Sequence, residues 1–562
     1  MKEEKGEEKM YRKLLLLIGV CLCLGLAACG GKEETPEPAP TTAPTAEPTA
    51  TQAAEPTTAP QETLTPEPSA TPTPTVKPAE DWFANVTPAK AYKGLEDTNP
   101  IITQCFGADP YGMVYGDTVY FYMTADVFEY DNKAQLKENS YGKINTIKVV
   151  STKDMVNFTD HGAIKVGGSK GAATWAGNSW APAAAWKNID GQDKFFLYFA
   201  DSARGIGVLV ADSPTGPFKD PIGGALIDRN VPNCGDITWL FDPAVLVDDD
   251  GTGYLYFGGG VPEGKAADPG NARVVKLGDD MISLAGDPVK VNAPYLFEDS
   301  GIHKYKDKYY YTYCSNWNVD AAGTAQYGFH NAEIVSMVSD NPMGPFEFHE
   351  VILENPGKYC GLYGNNHHCV FTFKDRWYIT YHARTLEKSM GIEKGYRVTH
   401  VDEFTMQEDG TIGIIKQTTK GREQLCYVDP YVENSAAMIA VQGGVQTTAA
   451  DVNATFYGAG AMALANMDEG AFVKVRGVDF GATSPKSVTA RLKVAGGGEG
   501  AIQIRVDSLD GEIVGYVNVD RLTGVEYEAY TSELDTKITG VHDLYFIFCG
   551  NGYRVMSWQF GK

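Results

Sequence analysis

The stretch Trp239-Leu-Phe-Asp242-Pro-Ala-Val-Leu-Val-Asp-Asp-Asp-Gly251-Thr-Gly-Tyr254-Leu-Tyr-Phe257 reads as a hairpin: an apolar strand, a tight Asp/Gly turn, then an aromatic strand. The turn and aromatic strand recur four more times, as Gly116-Asp-Thr-Val-Tyr-Phe-Tyr-Met123, Asp190-Gly-Gln-Asp-Lys-Phe-Phe-Leu-Tyr-Phe199, Lys306-Asp-Lys-Tyr-Tyr-Tyr-Thr-Tyr313 and Lys374-Asp-Arg-Trp-Tyr-Ile-Thr-Tyr381. Aligned on Tyr120, Phe196, Tyr254, Tyr310 and Tyr378, the copies are spaced by 76, 58, 56 and 68 residues. Successive hairpins at such periods, with little helical periodicity, predict an all-β fold, a five-bladed β-propeller with one sheet per copy.

The strand upstream of the anchor aromatic opens on a polar residue in four of the five copies. Eleven or twelve residues before the anchors stand Asp109, Asp242, Glu298 and the pair Asn366-His367, while the upstream strand of the second copy opens on Trp180-Ala-Pro, somewhat farther from Phe196. Equivalent strand ends in a propeller surround one mouth of the central channel, so these side chains are expected to converge. Any one carboxylate could serve as a strand-end cap. Three at the same phase raise one another's pKa and need a reason, which glycosidic hydrolysis supplies: a protonated acid at the leaving oxygen and an ionised carboxylate on the opposite face. Trp180, Trp239 and Trp317 fall near the same mouth and suit either core packing or stacking on sugar rings.

With the order of its motifs, the region from Asn99 to Tyr427 resembles glycoside hydrolase family 43, and within it the arabinoxylan arabinofuranohydrolase branch. The resemblance is carried by Gly107-Ala-Asp109-Pro-Tyr-Gly-Met-Val-Tyr-Gly-Asp117, Asn178-Ser-Trp180-Ala-Pro, the stretch from Trp239, Phe297-Glu298-Asp-Ser-Gly-Ile-His-Lys-Tyr305, Gly364-Asn-Asn-His-His368 and Lys394-Gly-Tyr-Arg397. It implies inverting hydrolysis with Asp109 as general base, Asp242 as pKa-modulating carboxylate and Glu298 as general acid. In that scheme Asp242 is ionised beside a protonated Glu298. It also implies sugar contacts from Trp239, Trp317, Asn365 and Arg397, the last complementing hydroxyls rather than charge; Trp180 joins them from its place near the mouth. The expected reaction is removal of α-L-arabinofuranosyl side chains from arabinoxylan or related hemicellulose. The alternatives are a β-xylosidase or arabinanase on the same fold, or a non-catalytic glycan-binding surface protein. No cofactor is required, no metal ligand is assigned, and a structural cation is allowed for near His367 or His368. The segment Gly258–Ala272 is shorter than the resemblance leads one to expect, which bears on the choice of substrate.

From residue 428 to 562 a second β-rich unit follows, expected as a jelly-roll sandwich similar to a family 6 carbohydrate-binding module. The resemblance rests on Val478-Asp-Phe-Gly481, Ile504-Arg-Val-Asp-Ser-Leu-Asp-Gly-Glu-Ile-Val-Gly515 and Ser557-Trp-Gln-Phe560. Such modules hold calcium with an acidic pair and a late aspartate. This chain offers Glu433-Asn-Ser435 and Met556-Ser557 instead, too few hard oxygen donors for calcium. Tyr553 and Phe456 suit core packing better than a sugar platform.

The ends of the chain complete the plan. Residues 1–29 form an expected lipoprotein signal, with the apolar run Leu14–Ala28 and Leu26-Ala-Ala-Cys29 as the cleavage box that lipidates Cys29. Residues 30–80 read as a Pro/Thr/Ala/Glu-rich disordered linker, since Lys32–Pro78 holds 12 of the 30 prolines and no aromatic residue. The propeller is expected over 95–427. Export to the surface of a bacterium, with membrane contact only through the lipid anchor, follows from this leader. The formal charge of -24 disfavours nucleic acid and accommodates a neutral polysaccharide or oligosaccharide substrate. Seven cysteines beyond the leader, an odd number, argue against a disulfide framework.

Overall fold

The five aromatic hairpins become five antiparallel sheets. Their innermost strands are Ala108–Tyr115, Trp180–Ile189, Ala244–Val247, Leu296–Tyr305 and His368–Phe373, and each pairs with its own aromatic strand. Every innermost strand touches the next, and the fifth touches the first, so the ring closes. The computed structural model describes residues 77–450 and 460–562; the signal segment with Cys29, most of the linker, and Phe456 lie outside the described residues. The 3-10 helix Ala79–Trp82 already belongs to the folded part, because Cys549 Sγ meets Trp82 O at 3.2 Å and Phe83 packs against Tyr516. Ordered structure therefore begins inside the expected linker.

Aromatic and aliphatic side chains build the cores between blades, with Tyr198, Tyr256, Tyr311 and Tyr313 fully buried. Blades 1 and 5 are held by a different device. Residues 98–107 run beside the last strand of blade 5, and buried Arg422 donates to Met155 O of blade 1, to Thr98 O, to Asn99 Oδ1 and to Val401 O of blade 5.

The C-terminal module is one curled sheet of nine strands around its own apolar core. Two long strands, Ser487–Val506 and Val541–Gly561, bend through both layers, so hydrogen bonding stays continuous where a sandwich would have two separate sheets. Met438–Ile439 leaves the module and pairs with Phe158 and Thr159 as a fifth strand of blade 1. Beside that strand Lys148 and Asp160 form a buried ion pair at 2.7 Å, and Thr447 of the module donates to Asp160 at 2.8 Å. Five of the seven described cysteines are buried, Cys105 is half-buried and Cys426 exposed, and all are free.

Candidate active site

Strand pairing fixes which side chains face the channel. Tyr111, Ala183, Ala244, Gly301 and Cys369 are equivalent, each opposite the residue two beyond its anchor aromatic. Two residues upstream of them stand Asp109, Ala181, Asp242, Asp299 and His367. Four of these five have left-handed backbones, with φ of 45°, 41°, 49° and 70° for Asp109, Ala181, Asp242 and Asp299. Such non-glycine positions are strained by about 1–3 kcal/mol each and cluster at functional sites. Pro110, Pro182 and Pro243 follow three of them, where the ladder is already irregular and an N–H is not needed. Side chains of neighbouring blades take up the freed amides: Asp109 N donates to His382 Nδ1 at 3.1 Å, Ala181 N to Thr124 Oγ1 at 2.8 Å, and Asp299 N to Asp242 Oδ2 at 2.9 Å.

This register differs from the one expected from spacing. Glu298 stands one residue before the ring position, at the place of Trp180 and Asn366, and Asp299 and His367 occupy the ring itself. Counting back a fixed number of residues misleads because the blade 3 hairpin carries one residue more than those of blades 1, 4 and 5. Asp299, eleven residues before Tyr310 as Asp109 is before Tyr120, was legible by that count and was missed.

The carboxylates do converge. His367 lies among three of them, its Nδ1 3.7 Å from both Asp109 Oδ1 and Asp242 Oδ2 and its Nε2 3.2 Å from Asp299 Oδ1. His368 is committed on both nitrogens. Nδ1 meets Asp299 Oδ2 at 2.5 Å and Nε2 meets Thr312 Oγ1 at 2.8 Å, which for a neutral ring means donation to the carboxylate and acceptance from the hydroxyl. Burial lowers its pKa to about 3, so the ring is neutral. No lone pair remains on His368 for a cation, and among the described residues no group of three or more His, Cys, Asp or Glu side chains is arranged to hold a metal ion.

The environments of the acidic groups pull them apart. Burial alone would push the Asp109 carboxyl up, but Arg397 Nη1, 2.8 Å from Oδ1, outweighs it and holds the group far below the usual carboxylate range. Glu298 is pushed well up, first by burial and then by Asp242, Asp109 and Asp299, and its Oε1 is buried with no hydrogen-bond partner. Asp242 is also raised, by burial and by Asp109, yet it accepts the Asp299 amide, which favours its charged form. Within this coupled pair the proton therefore belongs on Glu298.

Arg397 complements charge, contrary to the expectation that it would serve hydroxyls. Its Nε and Nη2 clasp Asp126 at 3.0 and 2.8 Å while Nη1 reaches Asp109, and all three residues are buried. Nothing in the spacing pointed to Asp126, two residues past the aromatic strand Thr118–Thr124 of blade 1, or to His382, whose Nε2 donates to Asn365 O at 2.9 Å. Asn365 and the three tryptophans are half-buried. Trp239 packs edge-on against Phe241 and Phe297, which precede Asp242 and Glu298, with centroids 5.3 Å away in each case. Gly259 permits that packing: a Cβ there would lie 2.5 Å from Phe297 O and 2.6 Å from the Phe241 ring. Trp180 donates to Tyr141 O at 3.0 Å, whereas the Trp317 Nε1 is buried without a partner.

Residues 97–412 match the family model described as "Glycosyl hydrolases family 43", and residues 435–562 match "Carbohydrate binding module (family 6)". An arabinoxylan arabinofuranohydrolase from Paenibacillus polymyxa is 44% identical over 83% of this chain and 74% of its own, and one from Bacillus subtilis (strain 168) is 42% identical over 83% and 93%. The crystal structure of a family 43 arabinoxylan arabinofuranohydrolase from Bacillus subtilis, in complex with cellotetraose, superposes with a TM-score of 0.79 at 41% identity, covering 84% of this chain and 99% of that one. The five-bladed ring, the acidic groups at its mouth and these matches agree, and the chain belongs to glycosyl hydrolase family 43.

Proposed function

We propose that this glycoside hydrolase is an inverting α-L-arabinofuranosidase that removes arabinofuranosyl side chains from arabinoxylan or a related hemicellulose, with Glu298 as general acid, Asp109 as general base and Asp242 as the modulating carboxylate. One observation carries the reading: a buried, unpartnered Glu298 is favoured in its protonated form in the same channel mouth where Arg397 keeps Asp109 ionised. Asp109 takes a proton from water, whose oxygen attacks the anomeric carbon. The bond to the leaving oxygen breaks, and Glu298 gives its proton to that oxygen. Asp242 keeps the proton on Glu298 until then by making its ionisation costly. Trp180, Trp239, Trp317 and Asn365 line the sugar, and Arg397 acts on it through Asp109. The two relatives named as arabinoxylan arabinofuranohydrolases support the substrate. Tethering at a bacterial surface through Cys29 belongs to the same proposal, and its check is loss of membrane-fraction protein on Cys29→Ser.

The test is arabinose release from arabinoxylan by residues 77–562, which form one compact unit, beside the same protein carrying Glu298→Gln. The expected result is release by the parent, with the anomer inverted by NMR, and a fall of about 10²–10⁴-fold in the variant. Cleavage of an aryl β-xyloside in preference to the α-L-arabinofuranoside would move the assignment to β-xylosidase. Release of no pentose from any substrate would leave a glycan-binding protein.

A further inference from the structure

Tyr141 combines features that no structural role requires together. It lies in the segment between the second and third strands of blade 1, at φ 59°, a backbone that a bulky aromatic residue rarely adopts. The segment is pinned from several sides: Glu129 accepts from Ser140 N and Oγ at 2.9 and 2.7 Å, Asn139 Oδ1 accepts from Tyr141 N at 3.1 Å, and Asn178 Nδ2 donates to Gly142 O and Ile144 O at 3.2 Å. So held, the ring covers the Arg397 guanidinium, with Cζ 4.7 Å from its centroid, and stands edge-on to Trp180 at 6.4 Å. The Tyr141 hydroxyl has no hydrogen-bond partner among the described residues.

Glycine or asparagine would suit the backbone better, and phenylalanine would cover Arg397 equally well. What remains to explain is the hydroxyl. We propose that Tyr141 is a specificity-determining residue of this site, its hydroxyl bonding to a hydroxyl of the glycosyl unit whose linkage is cut. The proposal rests on the arabinofuranosidase reading. It places the contact on the glycosyl unit because Tyr141 sits over Arg397, the partner of Asp109, beside the reacting centre. Burial, countered by Arg397, pushes the phenol up to about 12, so the group is protonated and both donates and accepts, matching a sugar hydroxyl.

The experiment compares kcat and KM of the parent, Tyr141→Phe and Tyr141→Asn on an aryl α-L-arabinofuranoside and on an arabinoxylan oligosaccharide, with thermal unfolding of each protein. Tyr141→Phe is expected to raise KM about 3- to 10-fold on both substrates, with kcat within about twofold and Tm unchanged. Tyr141→Asn is expected to keep or raise Tm while kcat/KM falls further, because Arg397 loses its cover. A KM for Tyr141→Phe that is unchanged on both substrates, or raised on the oligosaccharide alone, overturns the assignment while leaving the parent's activity intact. A parent inactive on both overturns the underlying function, and this assignment with it.

Discussion

The propeller mouth and the C-terminal module are both antiparallel sheet, yet they differ at the groups that each could offer a ligand. At the mouth Glu298 Oε1, Trp317 Nε1 and Asn366 Oδ1 are buried without partners, and Asp109, Asp242 and Asp299 are held in left-handed backbone. In the module, Glu433 has the company its fold can supply: Ser557 donates to it at 2.5 Å and Arg491 lies 3.8 Å away. Tyr553, for which core packing was the expected role, is buried with its hydroxyl on the Cys549 carbonyl at 3.1 Å. A site that must meet substrate keeps hydrogen-bonding capacity unspent at the groups it uses; in the module Glu433 and Tyr553 are spent internally, while Asn518 Oδ1 and Tyr527 Oη elsewhere in it are buried without partners. The module's strand on blade 1 and its hydrogen bond to the buried Asp160 fit a unit that braces the propeller.

The sharpest contrast is in activity. Asp109→Asn is expected to lower kcat by about 10²–10⁴-fold, measured on arabinoxylan. Asp109 has a depressed pKa when folded, so its contribution to stability is present above its unfolded pKa and is lost as the pH falls through the folded value. Acid unfolding curves of parent and variant are therefore expected to converge at low pH. Full activity in Asp109→Asn would erase the distinction between the two regions.

Next in size is the seam between them. Asp160→Ala strands Lys148 as a buried unpaired charge and is expected to destabilise by about 3–5 kcal/mol, read from denaturant unfolding. Because Met438–Ile439 continues the blade 1 sheet, propeller and module are expected to unfold together. Two separated transitions would show that the module is an independent passenger.

The smallest effect lies within the module. Ser557→Ala removes the hydrogen bond to Glu433 and is expected to cost about 1 kcal/mol, with kcat and KM unaltered. A change in either constant would mean that this corner of the module takes part in handling substrate.

How much of this was legible follows the same division. Five aromatic hairpins announced the ring because the strand period and the turn chemistry are local. Asp109, Asp242 and Glu298 were found because equivalent strand ends meet, though the register that puts Asp299 and His367 in the ring depends on hairpin length, which only pairing reveals. Asp126, His382 and Tyr141 left no trace in the spacing. Asp126 and Tyr141 lie beyond the repeating strand, and His382, four residues past its anchor as Thr124 is, differs in type from its counterparts; all reach the site across contacts of high sequence separation, as Asp126 does with Arg397. Arg397 was named from its motif, but its task could not be read without Asp126 and Asp109 around it.

The central claim is that Asp242 keeps Glu298 protonated beside an ionised Asp109. The direct measurement is the pH dependence of kcat/KM for the parent and for Asp242→Asn. In the parent the alkaline limb reports loss of the Glu298 proton and is expected above the ordinary carboxylate range, since burial and Asp242 both raise that pKa. Removing the Asp242 charge is expected to move this limb to lower pH while the acid limb, set by Asp109, stays nearer its place. An alkaline limb that does not move in Asp242→Asn would contradict the account.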